Sequence, residues 1–174
     1  MAEIEHIVVM GVAGSGKTTV AGILAERLGW PYAEADDFHP PENIAKMSAG
    51  QPLTDEDRWP WLRAIRDWLT ARSQAGESAV VTCSALKVAY RDLLREAEGR
   101  VRFVHLSAPA PLLEDRMEHR AGHFMPPSLL ASQLATLEPL TDAEDGVTIP
   151  VEAPPEVVAD QALAALHLTS QETR

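Results

Sequence analysis

Ile7-Val8-Val9-Met10-Gly11-Val12-Ala13-Gly14-Ser15-Gly16-Lys17-Thr18 decides the fold. Four apolar residues run without alternation, as in a strand buried on both faces of a parallel sheet. The spacing G-x-x-x-x-G-K-T follows at once. From Thr18 to Leu28, apolar residues at Val20, Ile23, Leu24 and Leu28 recur at helical intervals, and Gly29 stands where such a helix stops. Strand, glycine loop and helix in that order form a phosphate cradle. The glycines let successive backbone N–H groups converge on an anion, and the helix adds the positive end of its dipole.

Each position in the loop has a chemical reason. Gly11, Ala13, Gly14, Ser15, Gly16, Lys17, Thr18 and Thr19 are the residues that would wrap the phosphates of ATP. Lys17 is long enough to reach the β- and γ-phosphates, and the Thr18 hydroxyl suits Mg²⁺. The loop alone names no reaction, because kinases, GTPases, ATPases and sensors share it. No guanine-reading N-K-x-D segment is present, and the apolar strand Ala79-Val80-Val81-Thr82-Cys83 runs into Ser84 without an acid. Both features point to a small kinase, whose metal-side carboxylate follows the second strand. Asp36 and Asp37 stand there.

Working outward, strands are expected at 31–35, 79–83, 101–106 and 147–150, and helices at 86–97, 109–120, 128–137 and 155–166. Strands alternating with helices predict an α/β chain with a five-stranded parallel sheet in three α/β/α layers, a P-loop NTPase fold in one domain. Between residues 36 and 74 the pattern is helical and polar. Pro40-Pro41 and Thr54-Asp55-Glu56-Asp57 read as helix starts, the latter as a capping box. Trp59, Trp61, Leu62, Ile65, Trp68 and Leu69 read as an apolar stripe for the core.

Composition narrows the partners. The chain has 174 residues, 45% of them apolar, and a formal net charge of −11. An acidic chain lacks the basic footprint of a nucleic-acid binder, yet a few convergent cations can still hold a small anion. One cysteine, Cys83, excludes an internal disulfide and fits a reducing compartment, so a cytoplasmic location is expected. No apolar run reaches the length of a membrane span.

Several residues fit an acceptor site, each with a plainer alternative that the residues alone leave open. Asp36 could orient an acceptor hydroxyl or hold the metal, or could cap a helix. His39 could meet substrate or be structural. Arg58 follows three acids, and reads either as a clamp for an anion or as one end of a surface ion pair. Ser84, Lys87 and Arg91 follow the third strand, where parallel sheets bind ligands, and Lys87 and Arg91 are spaced to share one helix face. Arg116 and Arg120 precede Gly122-His123-Phe124-Met125-Pro126-Pro127, a pattern that fits a hinged lid or a plain turn.

Taken together, these segments resemble the gluconokinases, small P-loop kinases of the shikimate-kinase and adenylate-kinase type. The resemblance rests on Ala35-Asp36-Asp37-Phe38-His39-Pro40, on Pro52 to Leu62 with Asn43 and Lys46-Met47, on Cys83 to Lys87 with Tyr90 to Arg95, on Gly122 to Pro126, and on Ser132-Gln133 with Leu137-Glu138-Pro139. It implies transfer of phosphate from ATP, with Mg²⁺, to the 6-hydroxyl of D-gluconate. It also implies a helical substrate-binding insert near 39–75 and a lid near 117–127. By the resemblance Lys17, Asp36 and Arg120 are catalytic, Thr18 and Asp36 serve the metal, and Arg116 and Arg120 serve the nucleotide. Asp36, His39, Arg58, Ser84, Lys87, Arg91 and His123 form the substrate pocket. The family is often dimeric, although no stretch here marks an interface. Leu134 and Val88 depart from the family pattern at peripheral positions.

Overall fold

The first strand, β1 (Glu5–Met10), lies at the centre of the sheet because both of its faces are apolar. The chain is described here by a computed structural model covering residues 3–12, 14–51, 53–109, 111–113, 115 and 128–168. After β1 come α1 (Lys17–Leu28), β2 (Tyr32–Glu34), a 3₁₀ turn (Ala35–Phe38), α2 (Pro41–Ser48) and α3 (Asp55–Gln74). Then follow β3 (Ala79–Thr82), α4 (Val88–Leu94), β4 (Arg100–Ser107), α5 (Ser128–Thr136), β5 (Gly146–Pro150) and α6 (Pro155–Leu166). The five strands are all parallel, in the order β2-β3-β1-β4-β5. This is the three-layer P-loop NTPase fold.

Strand alternation builds the layers. Ile7 and Val9 pack with Val20, Leu24 and Leu28 of α1 and with Val158 and Ala162 of α6. Val8 and Met10 face the other way, onto Trp61, Leu62, Ile65 and Leu69 of α3 and Tyr90 and Leu94 of α4. All four β1 residues are fully buried. Each such side chain contributes roughly 1.5–3 kcal/mol by leaving water, so the two helical layers hold the sheet mainly through this alternation.

Helix boundaries follow local chemistry. Thr54 and Asp57 form the expected capping box: the Thr54 hydroxyl accepts from the Asp57 N–H at 3.2 Å, and the Asp57 carboxylate accepts from the Thr54 N–H at 2.9 Å. Pro41 occupies the first turn of α2, where a missing N–H costs nothing. Gly29 closes α1 with φ 70°. One boundary differs from expectation. The helix foreseen over 86–97 spans only Val88–Leu94. Ala85 is left-handed at φ 45° and Lys87 is extended, so Leu86 sits in a loop, packed with Val12, Leu113 and Leu130. The tryptophan stripe also divides. Trp61 is buried while Trp59, two residues away and so on a different side of the helix, is half-buried, as is Trp68 nearer the helix's far end.

Candidate active site

Where β1 ends, the chain must turn sharply to feed α1 at the carboxyl edge of the sheet, between β3 and β4. Gly11 there has φ 148°, and a Cβ on it would lie 2.8 Å from the Ser15 hydroxyl and 2.9 Å from the Leu106 carbonyl. Gly16, with φ 91°, caps α1. Lys17 Nζ donates to the loop carbonyls of Gly11 at 3.0 Å and Val12 at 3.2 Å. The Ser15 hydroxyl is buried with no hydrogen-bond partner among the described residues. A loop that lines a cavity, holds an ammonium and leaves a buried hydroxyl unanswered fits polyphosphate well. Ala13 lies outside the described residues.

The loop opens on a cavity of about 710 Å³. Gly14, Ser15, Gly16, Lys17, Thr18 and Thr19 line it, as do the apolar Val151, Ala153, Pro155 and Val158. Asp36, His39, Arg58 and Ser84 line the same cavity. So five segments distant in sequence converge here, each delivered by the carboxyl end of a strand or by α3.

Two residues central to the cavity were not singled out from sequence. Glu34 ends β2 two residues before Asp36. Its carboxylate accepts from the Thr82 hydroxyl at 2.6 Å and from the Tyr32 hydroxyl, and it also hydrogen-bonds Thr18. Burial pushes its carboxyl up, but these hydrogen bonds and the charge of Lys17 outweigh that and hold it below the usual carboxylate range. Glu34 therefore occupies the place beside Thr18 that the sequence reading gave to Asp36, while Asp36 stands exposed in the following turn. The acid was legible as the end of β2, but an Asp-Asp pair two residues on drew the reading away. The second is Trp61, read as core. Its ring stacks on His39 with centroids 4.2 Å apart and planes 13° apart, and its indole N–H donates to the Ala35 carbonyl at 2.7 Å.

Arg58 reaches the cavity and also donates to the Tyr90 hydroxyl at 2.9 Å. Tyr90 in turn donates to Asp55 at 2.5 Å. Lys87 does not line the cavity: its Nζ lies 3.4 Å from Asp55 and over the Tyr90 ring. Arg91 requires a correction. It is fully buried behind the site, paired with Glu144 and bound to the carbonyls of Ala85, Glu138 and Pro139. Lys87 and Arg91 do not share one face, because the helix begins only after Lys87. Arg116, Arg120, His123 and the expected lid lie outside the described residues. Cys83 is buried, its thiol pushed up to about 12 by desolvation, as suits a packing residue.

The histidine environments make stability pH-dependent. Burial, then the charge of Arg58, lowers His39 to about 4 from 6.5, and burial also lowers His6 and His105. Below pH 6.5 the unfolded chain takes up a proton that folded His39 refuses, so stability is full above that pH and falls toward pH 4. From His39 alone the loss between pH 7 and 5 is about 2 kcal/mol. Urea midpoints at the two pH values check this, and His39→Gln should flatten the difference. Equal slopes for both proteins would remove His39 as the cause.

A phosphate loop with a lysine, a hydroxyl and a carboxylate at its mouth, opening on a cavity with further polar side chains, defines a small P-loop kinase. Residues 7–125 match the family model described as an AAA domain. A gluconokinase of Gluconobacter oxydans (strain 621H) is 53% identical over 157 residues, covering 90% of this chain and 88% of the relative. Two crystal structures are similar over nearly their full length. A sugar kinase from Janibacter sp. HTCC2649 has a TM-score of 0.91 at 55% identity, covering 95% of each chain. A gluconokinase from Sinorhizobium meliloti 1021 has a TM-score of 0.86 at 50% identity, covering 96% of this chain and 94% of the other. The chain belongs to the gluconokinase family.

Proposed function

We propose that this protein transfers the γ-phosphoryl group of ATP to the 6-hydroxyl of D-gluconate, giving 6-phospho-D-gluconate for carbohydrate metabolism. The observation that carries the reading is that one cavity is lined both by the phosphate loop and by the polar side chains Asp36, His39, Arg58 and Ser84. Gluconate is an anionic polyol. A guanidinium fork suits its carboxylate, and hydroxyl and imidazole groups suit its alcohols.

The residues divide by chemistry. Lys17 and the loop N–H groups bind the β- and γ-phosphates. The apolar wall of Val151, Ala153, Pro155 and Val158 suits the flat base of the nucleotide. Thr18 and Glu34 would hold Mg²⁺, with Asp36 alongside. Bound there, the ion would offset charge on the phosphate oxygens. Asp36 faces the acceptor chamber, where its carboxylate orients the attacking hydroxyl and takes its proton as transfer proceeds. Arg58 holds the acceptor's carboxylate and is itself held by Tyr90. Arg120, with Arg116 and His123, adds positive charge from the lid. Together these groups align donor and acceptor and exclude water, which is most of what phosphoryl transfer asks of a protein.

Among the described residues no helix is long and apolar enough to cross a membrane. A cytoplasmic homodimer is the setting that the family resemblance implies. The test is ADP release with Mg-ATP across gluconate, shikimate, other sugar acids, neutral sugars and no acceptor. Release dependent on gluconate supports the proposal. Release indifferent to the acceptor would replace it with an ATP-binding sensor.

A further inference from the structure

The cavity wall contains a histidine, His39, with a buried amide beside its ring nitrogen. His39 is nearly buried, and its Nδ1 lies 3.1 Å from the side-chain amide nitrogen of Asn43, one helical turn on. Asn43 is 2% exposed. The same amide nitrogen donates to the backbone carbonyl of Asp57 at 2.8 Å. That second bond fixes which way the amide points. Flipped, its oxygen would face the Asp57 carbonyl, acceptor against acceptor. The NH₂ group therefore faces both partners, and toward His39 it can only donate.

A donor at Nδ1 demands a lone pair there. Neutral imidazole then carries its proton on Nε2, while the Nδ1–H tautomer and the imidazolium would each set N–H against N–H. The anchor behind this arrangement is firm. Asp57 sits in the first turn of α3, its carboxylate committed to the Thr54 capping box and to Lys46 at 2.7 Å. Trp61, tied by its indole N–H to Ala35, stacks on the imidazole face and stops the ring from rotating away. Nε2 has no protein partner among the described residues, and His39 lines the cavity beside Arg58. Arg58 also opposes a second proton on the ring.

We propose that Asn43 is a positioning residue that locks His39 as the Nε2–H tautomer, so that the imidazole presents an uncharged hydrogen-bond donor to an oxygen of the acceptor. The proposal rests on the reading of this chamber as the gluconate site. It gives the chamber two kinds of donor: the charged fork of Arg58 for a carboxylate, and a neutral N–H for a hydroxyl or carboxylate oxygen.

Long-range ¹H–¹⁵N NMR of the histidine nitrogens tests the lock directly, and steady-state kinetics test its use. In the wild-type protein, His39 should show a protonated Nε2 and an unprotonated Nδ1. Asn43→Asp puts an acceptor at Nδ1 and should move the proton there, raising the gluconate KM about tenfold or more with the ATP KM unchanged. In a His39→Gln background the same exchange should shift the gluconate KM by less than about twofold, since the tautomer is gone. A wild-type proton on Nδ1 overturns the lock. Equal KM changes in both backgrounds overturn it as well, because Asn43 would then act only through α2 and α3. Absence of gluconate phosphorylation by the wild-type protein would sink the functional reading and this proposal's ligand with it, whereas an Nδ1 proton in an active enzyme sinks the lock alone.

Discussion

Lys17→Ala should lower kcat for gluconate phosphorylation by about 10²–10³-fold, the scale for removing one preorganised charge-stabilising donor from a transition state. The side chain is half-buried at the start of α1, and its Nζ bridges the carbonyls of Gly11 and Val12. Those bonds place the ammonium at the loop mouth. Phosphate oxygens, being anionic, are better acceptors than two peptide carbonyls, so nucleotide binding should draw Nζ across. Stability should barely change, because the loop carbonyls can turn to water and no core contact is lost. Single-turnover kinetics and a melting curve on the same preparation check both halves. A kcat within about fivefold of wild type, far below the loss expected for such a donor, would remove Lys17 from phosphate stabilisation. A large drop in melting temperature would make it a structural residue of the loop.

The parts of the fold that were legible in the sequence share one property: their signal is local. The run Ile7–Met10, the glycine spacing, the Thr54–Asp57 capping box and the periodicity of 155–166 each depend on residues within one or two turns. Five parallel strands follow from that alternation. What escaped depends on contacts across the chain. Leu86 looks helical by spacing, yet a left-handed Ala85 directs it into a cluster with Val12, Leu113 and Leu130. Trp61 looks like core and is core, but its other face carries His39, which no helical pattern discloses. Glu34 was passed over for a neighbouring acid pair, because which carboxylate meets Thr18 depends on how β2 registers against β3, Glu34 opposite Thr82.

Arg91 shows the same lesson from the other side, and its replacement carries the largest expected effect on stability. By spacing it pairs with Lys87 as a basic face at the ligand edge. In the structure its guanidinium is fully buried and every side of the fork is used: Nε and Nη2 on Glu144, Nη1 on the Ala85 carbonyl at 2.8 Å, Nη2 also on the Glu138 carbonyl at 3.0 Å. Glu144, equally buried, also accepts from the Thr141 N–H at 3.0 Å. Arg91 thus ties the loop bearing Ser84 to the segment between α5 and β5. Arg91→Met should cost about 3–5 kcal/mol, because it strands a buried carboxylate and leaves three carbonyls short of donors. For a domain of this size that corresponds to a fall of roughly 10 °C or more in Tm. The double variant Arg91→Met/Glu144→Leu should recover part of the loss, since no unpaired charge then remains. At a temperature where both stay folded, the gluconate KM of the single variant should change less than its stability implies. The opposite pattern, a gluconate KM raised strongly with Tm unmoved, would return Arg91 to the acceptor site and refute its assignment as the clamp behind it.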